Sequence, residues 1–172
     1  MAKSKTRKGK GKGPGAAKAT QARMLFAQLE REYADATPAE WEELREHMLS
    51  QTAVIAMGNE RRREALVAEF DAVRDRTLAG QQTRQMRVAL ARGQAELVRD
   101  RGDGLEEWQV LAGGTPITLY VPAESDDAGL TVARKALLGG RCPSCRLGAD
   151  LVAGTAEIAH NPLCPAKKAL DA

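Results

Sequence analysis

The sequence predicts a mainly helical chain with a smaller β component: a helical body, a β-hairpin with an accompanying helix, and a small C-terminal module. Three observations predict it. Apolar residues recur at helical spacing from Leu25 to Leu97, and two β-rich runs meet across Gly113-Gly114. All three cysteines, with one of the two histidines, stand in the order Cys142-x2-Cys145-x14-His160-x3-Cys164. At 172 residues the chain has room for one compact domain with appendages or for two small domains. It divides into a basic arm over 1–16, a helical body over 17–101, a hairpin plus helix over 102–140 and the C-terminal module over 141–172.

Residues 2–16 are Lys, Arg, Gly and other small residues without an apolar period. They cannot bury enough surface to offset the entropy of ordering, which predicts a disordered tail. Helical spacing starts at about Ala17, with Leu25, Phe26, Leu29 and Tyr33 on one face. Thr37-Pro38-Ala39-Glu40 places an N-cap threonine, a proline at the first helical position and a glutamate three residues after the cap. That is a capping box, and a second helix begins there with Trp41, Leu44, Met48 and Ile55 as its apolar stripe and Gly58-Asn59 as its stop. Leu66, Phe70, Val73 and Leu78 form a third helical segment, which Gly80 interrupts before a fourth with Met86, Leu90 and Leu97. The pattern leaves open whether residues 59–100 form two helices or one long, weakly broken helix. With only Trp41, Trp108, Tyr33, Tyr120, Phe26 and Phe70 aromatic, the core is expected to be built from Leu, Val, Ala and Met.

The helical pattern ends at Gly102-Asp103-Gly104. Trp108–Ala112 and Ile117–Val121 flank Gly113-Gly114 and predict a hairpin with Ile117, Leu119 and Val121 on one face, closed by Pro122. A shorter helix is expected from about Asp127 to Leu138, burying Leu130, Ala133 and Leu137 and stopped by Gly139-Gly140.

Cys142, Cys145, His160 and Cys164 have the spacing of a four-ligand metal site. Two thiolates come from one tight turn through Pro143 and Ser144, and the second pair comes from a separate segment, so a metal would clamp two parts of the chain. Between the pairs, Ala149–Val152 and Thr155–Ile158 around Gly154 read as a second, smaller hairpin. A segment of this size has almost no core of its own, and one structural Zn2+ would supply most of its folding free energy. A redox Cys-x2-Cys pair would open a helix in a βαβ setting, which is missing around Cys142. A Cys–His nucleophile pair is poorly served by Cys164, which lies between Pro162 and Pro165. Four protein ligands fill the shell that a catalytic zinc keeps open, and His160 is followed by Asn161-Pro162 rather than by the H-x-E of a zinc deaminase. The other histidine, His47, stands alone on the second helix beside Glu43 and Glu46 and reads as a surface residue.

Residues 141–168 resemble C2HC zinc fingers and zinc-ribbon-like modules in general. The resemblance implies a zinc-binding module held by the four residues named. It departs from the ββα finger at Pro162, which opposes a regular helix through both His160 and Cys164 and points to a knuckle or ribbon with a helix starting at about Pro165.

The net charge is only +3, but the first 29 residues hold eight cations and no acid, leaving 18 cations against 23 acids in the remainder. A basic arm on a mildly acidic body predicts contact with a polyanion or an acidic protein surface, through Lys3, Lys5, Arg7, Lys8, Lys10, Lys12 and Lys18. The acid-free stretch Gln81–Ala95 adds Arg84, Arg87 and Arg92, a face that suits phosphates or is simply a solvated helix surface. Glu30–Glu46 is acidic and Arg61–Arg101 arginine-rich, so these helices also suit pairing by charge. No apolar run reaches the length of a membrane span and no secretory signal is evident, so a cytoplasmic, reducing location without membrane contact is expected. With no glycine-rich phosphate loop or acid–base pair, the sequence predicts a non-enzymatic zinc-containing binding protein associated with nucleic acid or a nucleoprotein complex. The alternative is a helical protein–protein interaction or assembly component, viral or otherwise structural, whose helical body forms a homo-oligomer or docks on a protein partner and whose zinc module is a second docking surface.

Overall fold

The computed structural model describes residues 14–55 and 60–172. It contains helices α1 (Pro14–Glu32), α2 (Pro38–Ile55), α3 (Glu60–Ala91), α4 (Ala128–Leu138) and α5 (Pro165–Leu170), and strands β1 (Glu96–Asp100), β2 (Leu105–Ala112), β3 (Thr115–Pro122), β4 (Asp150–Val152) and β5 (Thr155–Glu157). Helices beside a five-stranded sheet make the chain α+β. It forms two compact units that divide inside α3, between Thr77 and Leu78.

In the first unit α1 starts at Pro14, ahead of the expected Ala17, because a proline without an N–H is at ease in a first helical turn. Phe26 is buried, whereas Leu25, expected on the same face, is 55% exposed. The capping box forms as expected. The Thr37 N–H donates to Glu40 Oε2 at 2.7 Å, the Thr37 hydroxyl donates to the same oxygen at 2.8 Å, and the Glu40 N–H donates to Thr37 Oγ1 at 3.3 Å. These bonds hold the Glu40 carboxyl below its ordinary pKa. In this unit the core departs from the aliphatic expectation, which the core of the second unit meets. Here the core centres on Trp41, whose ring centroid lies 5.5 Å from Tyr33 and 5.5 Å from Phe70, edge to face with the latter, and Phe26 and Val73 are also buried in this unit. The charge pairing of α2 with α3 forms between Glu42 and Arg74 at 3.0 Å and, with the signs exchanged, between Arg45 and Asp71 at 3.0 Å. Gly58-Asn59 lies outside the described residues.

Helix α3 runs unbroken for 32 residues through Gly80, so of the two arrangements left open it is the single long helix that forms. It ends where Gly93 takes a positive φ of 69° and Gln94 N–H closes on the Ala89 carbonyl at 3.1 Å. Leu97 therefore belongs to β1, not to a fourth helical segment.

The second unit is built on one sheet of order β1-β2-β3-β5-β4, antiparallel except where β5 meets β3 in parallel at Thr118 and Thr155. Gly113 and Gly114, at φ 58° and 85°, supply the two positive dihedrals of the tight turn between β2 and β3. Val110, Ala112, Ile117, Leu119 and Val121 bury one sheet face against Met86, Ala89 and Leu90 of α3 and Leu137 of α4. Asp127 caps α4, its carboxylate accepting from the N–H groups of Gly129 and Leu130 at 2.8 Å each. Beside it Arg134 reaches Glu106 at 2.7 Å, and the Trp108 indole N–H donates to that same carboxylate oxygen at 2.7 Å.

Candidate metal centre

The first ligand pair sits on a small loop that begins where α4 stops. Arg141 and Gly148 bridge in antiparallel fashion, the Cys142 N–H donates to the Leu147 carbonyl at 2.8 Å, and the Arg146 N–H returns to the Cys142 carbonyl at 3.0 Å. Arg146 closes the turn in the left-handed region at φ 65°. The N–H groups of Ser144 and Cys145 point at the Cys142 sulfur, and those of Asn161 and Leu147 at the Cys145 sulfur. The second pair follows β5. The Cys164 N–H donates to the Asn161 carbonyl at 2.8 Å, the Asn161 side chain accepts from the Leu163 N–H at 3.0 Å, and Cys164 itself is the N-cap of α5 with Pro165 next to it. Pro162 thus lies in a turn between the ligands, and the helix begins only after the last of them.

Four ligand atoms converge within 4.8 Å of one another. The Cys142 and Cys164 sulfurs are 3.7 Å apart, and the His160 Nδ1 lies 3.6 Å from the sulfurs of both Cys145 and Cys164. A tetrahedral zinc with bonds of about 2.3 Å to sulfur and about 2.0–2.1 Å to nitrogen has edges of about 3.8 Å between sulfurs and about 3.6 Å from sulfur to nitrogen. The donor set therefore has both the chemistry and the spacing of a four-coordinate metal site, with His160 entering through Nδ1. Cys142, His160 and Cys164 are buried and Cys145 is half-buried. Burial pushes the Cys142 thiol up, whereas the N–H groups of Asn161 and Leu147 bring the Cys145 thiol down to about 6.

The module has more support than its length suggests. Cys142 and Cys164 pack in one cluster with Ala133 and Ala136 of α4 and Ala166 of α5. A β-carbon on Gly129 would stand 2.5 Å from the Ala169 methyl and 2.7 Å from the Pro165 carbonyl oxygen, so α5 docks on α4 at a point only glycine permits. Joining β5 to β3 makes the second hairpin part of the main sheet. In keeping with the expectation that the segment has almost no core of its own, its core is shared with α4 and with the sheet. The small residues Gly129, Ala133 and Ala136, spaced on one face of α4, were the sequence signal for that seam.

Among the described residues, the other expected site residues do not gather here. Lys3, Lys5, Arg7, Lys8, Lys10 and Lys12 lie outside the described residues, and Lys18 lies on α1. Arg84 and Arg92 are exposed, on α3 and one residue beyond its end. Arg87 turns instead to the Ala149 carbonyl and the Asp150 carboxylate, contacts that sequence reasoning missed. His47 is exposed on α2, its Nε2 2.9 Å from the Gln51 amide nitrogen.

Fold and site together define an α+β chain with a Cys3His cluster that can bind a metal, compatible with a zinc-finger-like module. No helix among the described residues is long and apolar enough to cross a membrane. No family model matches the chain, and no curated protein or solved structure does either.

Proposed function

We propose that the protein is a non-enzymatic binding protein with one structural Zn2+, associated with nucleic acid or a nucleoprotein assembly through its basic N-terminal stretch. The observation that carries the metal part is the near-tetrahedral spacing of Cys142, Cys145, His160 and Cys164, three of them buried. Four protein donors complete the shell of a zinc ion and leave no position for a substrate or an activated water. Reduced thiolates of this kind suit a cytoplasmic setting. The nucleic-acid part rests on the eight cations and no acids of the first 29 residues, whose binding would be driven by counterion release and insensitive to sequence.

The test is salt-dependent binding of the full chain to random duplex DNA and to RNA, compared with a full chain in which Lys3, Lys5, Arg7, Lys8, Lys10 and Lys12 are all replaced by glutamine. Six phosphate contacts give a slope of about −5 in log affinity against log salt on duplex DNA. The replaced chain should lose most of that slope; equal slopes overturn the assignment to the arm.

A second reading, an interaction or assembly component that pairs with another protein or a second copy, draws on exposed apolar side chains. Met24 is 68% exposed on α1, and Leu163, beside the ligand Cys164, is 80% exposed. A strictly monomeric mass in solution, together with no co-purifying protein, would count against it.

A further inference from the structure

Glycines flank the loop that carries Cys142 and Cys145, and both lie against one residue of α3. A β-carbon on Gly140 would stand 3.3 Å from the Arg87 carbonyl oxygen and 3.1 Å from Cβ of Leu90. A β-carbon on Gly148 would stand 3.0 Å from Arg87 Nε and 3.1 Å from its Cζ. The guanidinium therefore lies over bare backbone. From that position it donates through Nε to the Ala149 carbonyl and through Nη2 to the Asp150 carboxylate. The loop is closed at its base, where the Ala149 N–H donates to the Gly140 carbonyl at 2.9 Å and Arg141 bridges Gly148. Arg87 is thus the side chain that ties this closed base to α3.

Charge does not explain the arrangement. The Arg87 and Asp150 side chains are 41% and 63% exposed, and an ion pair that open to solvent is worth little. What a lysine would lack is the fork: two donors fixed in one plane, one for a main-chain carbonyl and one for a carboxylate. That geometry constrains position, and what it positions is the segment leading directly from Cys142 and Cys145.

We propose that Arg87 is a positioning residue for the metal centre, holding the base of the Cys142–Cys145 loop against α3 and thereby raising metal affinity. The proposal rests on the reading of the Cys3His cluster as a metal site. Partners that hydrogen-bond the ligands themselves commonly change affinity by about 10- to 100-fold, and Arg87, which acts one step further out on the segment bearing two ligands, should lie at the low end.

The experiment titrates the full chain with Co2+, following thiolate-to-cobalt charge transfer and the ligand-field bands of tetrahedral cobalt, then displaces the cobalt with Zn2+. Thermal unfolding of the metal-free chains is measured alongside. Arg87→Ala should weaken Co2+ binding by about tenfold while leaving the metal-free unfolding midpoint near that of the natural chain. Arg87→Lys should recover only part of the loss, since one ammonium cannot serve both acceptors in the same geometry. Asp150→Asn, which keeps the bond to Ala149, should stay within about threefold of the natural chain. Natural chain and Arg87→Ala binding Co2+ equally tightly would overturn the role of Arg87 and leave the metal site standing. A lowered metal-free midpoint with unchanged affinity would overturn it as well, by showing a role in stability alone. If the natural chain takes up no Co2+, the metal reading itself fails. Should Arg87→Ala not fold, Arg87→Lys carries the comparison, and an affinity equal to that of the natural chain overturns the proposal.

Discussion

Replacing glycine by alanine at two helical positions should shift stability in opposite directions. At Gly80, inside α3, an added methyl meets only the end of the Arg84 side chain, at 3.8 Å, which is ordinary contact. Gly80→Ala then keeps the gain in backbone entropy and helix propensity, about 0.5–1 kcal/mol. At Gly129, in the first turn of α4, the same methyl would stand 2.5 Å from the Ala169 methyl, 2.7 Å from the Pro165 carbonyl oxygen and 3.1 Å from the Asp127 carboxylate that caps the helix. Two of these neighbours are main-chain or Cβ atoms, so relief requires α5 to move away by about 1 Å. Overpacking of this kind costs about 1–3 kcal/mol. Set against a propensity gain of at most about 1 kcal/mol, Gly129→Ala should be destabilising by about 1–2 kcal/mol. Because Cys164 is the N-cap of α5, the displacement also reaches the metal ligands. Urea unfolding of both variants with zinc present measures the two signs, and Co2+ titration measures the transmitted effect. A Gly129→Ala chain as stable as the natural one, with unchanged Co2+ affinity, would refute the close docking of α5 on α4.

Ala153 and Gly154 link β4 to β5 with φ of 47° and 83°, a turn that favours asparagine first, so Ala153→Asn should raise stability by about 0.5–1 kcal/mol in thermal unfolding. Thr37→Ala removes the cap of α2 and should cost about 1 kcal/mol near neutral pH. Glu40, with its folded pKa depressed by its bonds to Thr37, contributes stability that is present above its unfolded pKa and is lost as pH falls through the lower folded pKa. Thr37→Ala loses the hydroxyl bond to Glu40 but keeps the main-chain N–H bond, so its gap from the natural chain should narrow only in part below the ordinary carboxylate range, as followed by helix ellipticity against pH. Metal affinity should weaken as pH falls below neutrality, because protons compete for three thiolates and the imidazole; titration of Co2+ at several pH values checks this.

What the sequence made legible was local. The ligand spacing, the Thr37–Glu40 box and the Gly113-Gly114 turn each encode their geometry within a few residues, and each forms as expected. Gly80 left one helix or two undecided in the sequence, and it does not end α3 because its penalty, about 1 kcal/mol, is small against the packing available to a 32-residue helix. Strand β1 was illegible because all five of its residues are exposed, so no alternation marks it and only its pairing with β2 defines it. The parallel contact of β5 with β3 joins residues far apart in sequence, and no local pattern announces it. Arg87 looked like one cation among several on an acid-free helix segment, since its partners at 149 and 150 lie more than 60 positions further along the chain. Aromatics gathered around Trp41 in the first unit because even a small supply suffices there when Tyr33 and Phe70 both reach its ring.

The proposed zinc at Cys142, Cys145, His160 and Cys164 is open to elemental analysis of the full chain, purified under reducing conditions, beside Cys145→Ser and Cys164→Ser variants. One tightly held zinc per natural chain is expected, with its loss or marked weakening in both variants. A natural chain free of zinc and unable to take it up, or variants that retain it as tightly, would overturn the assignment of these four residues as ligands.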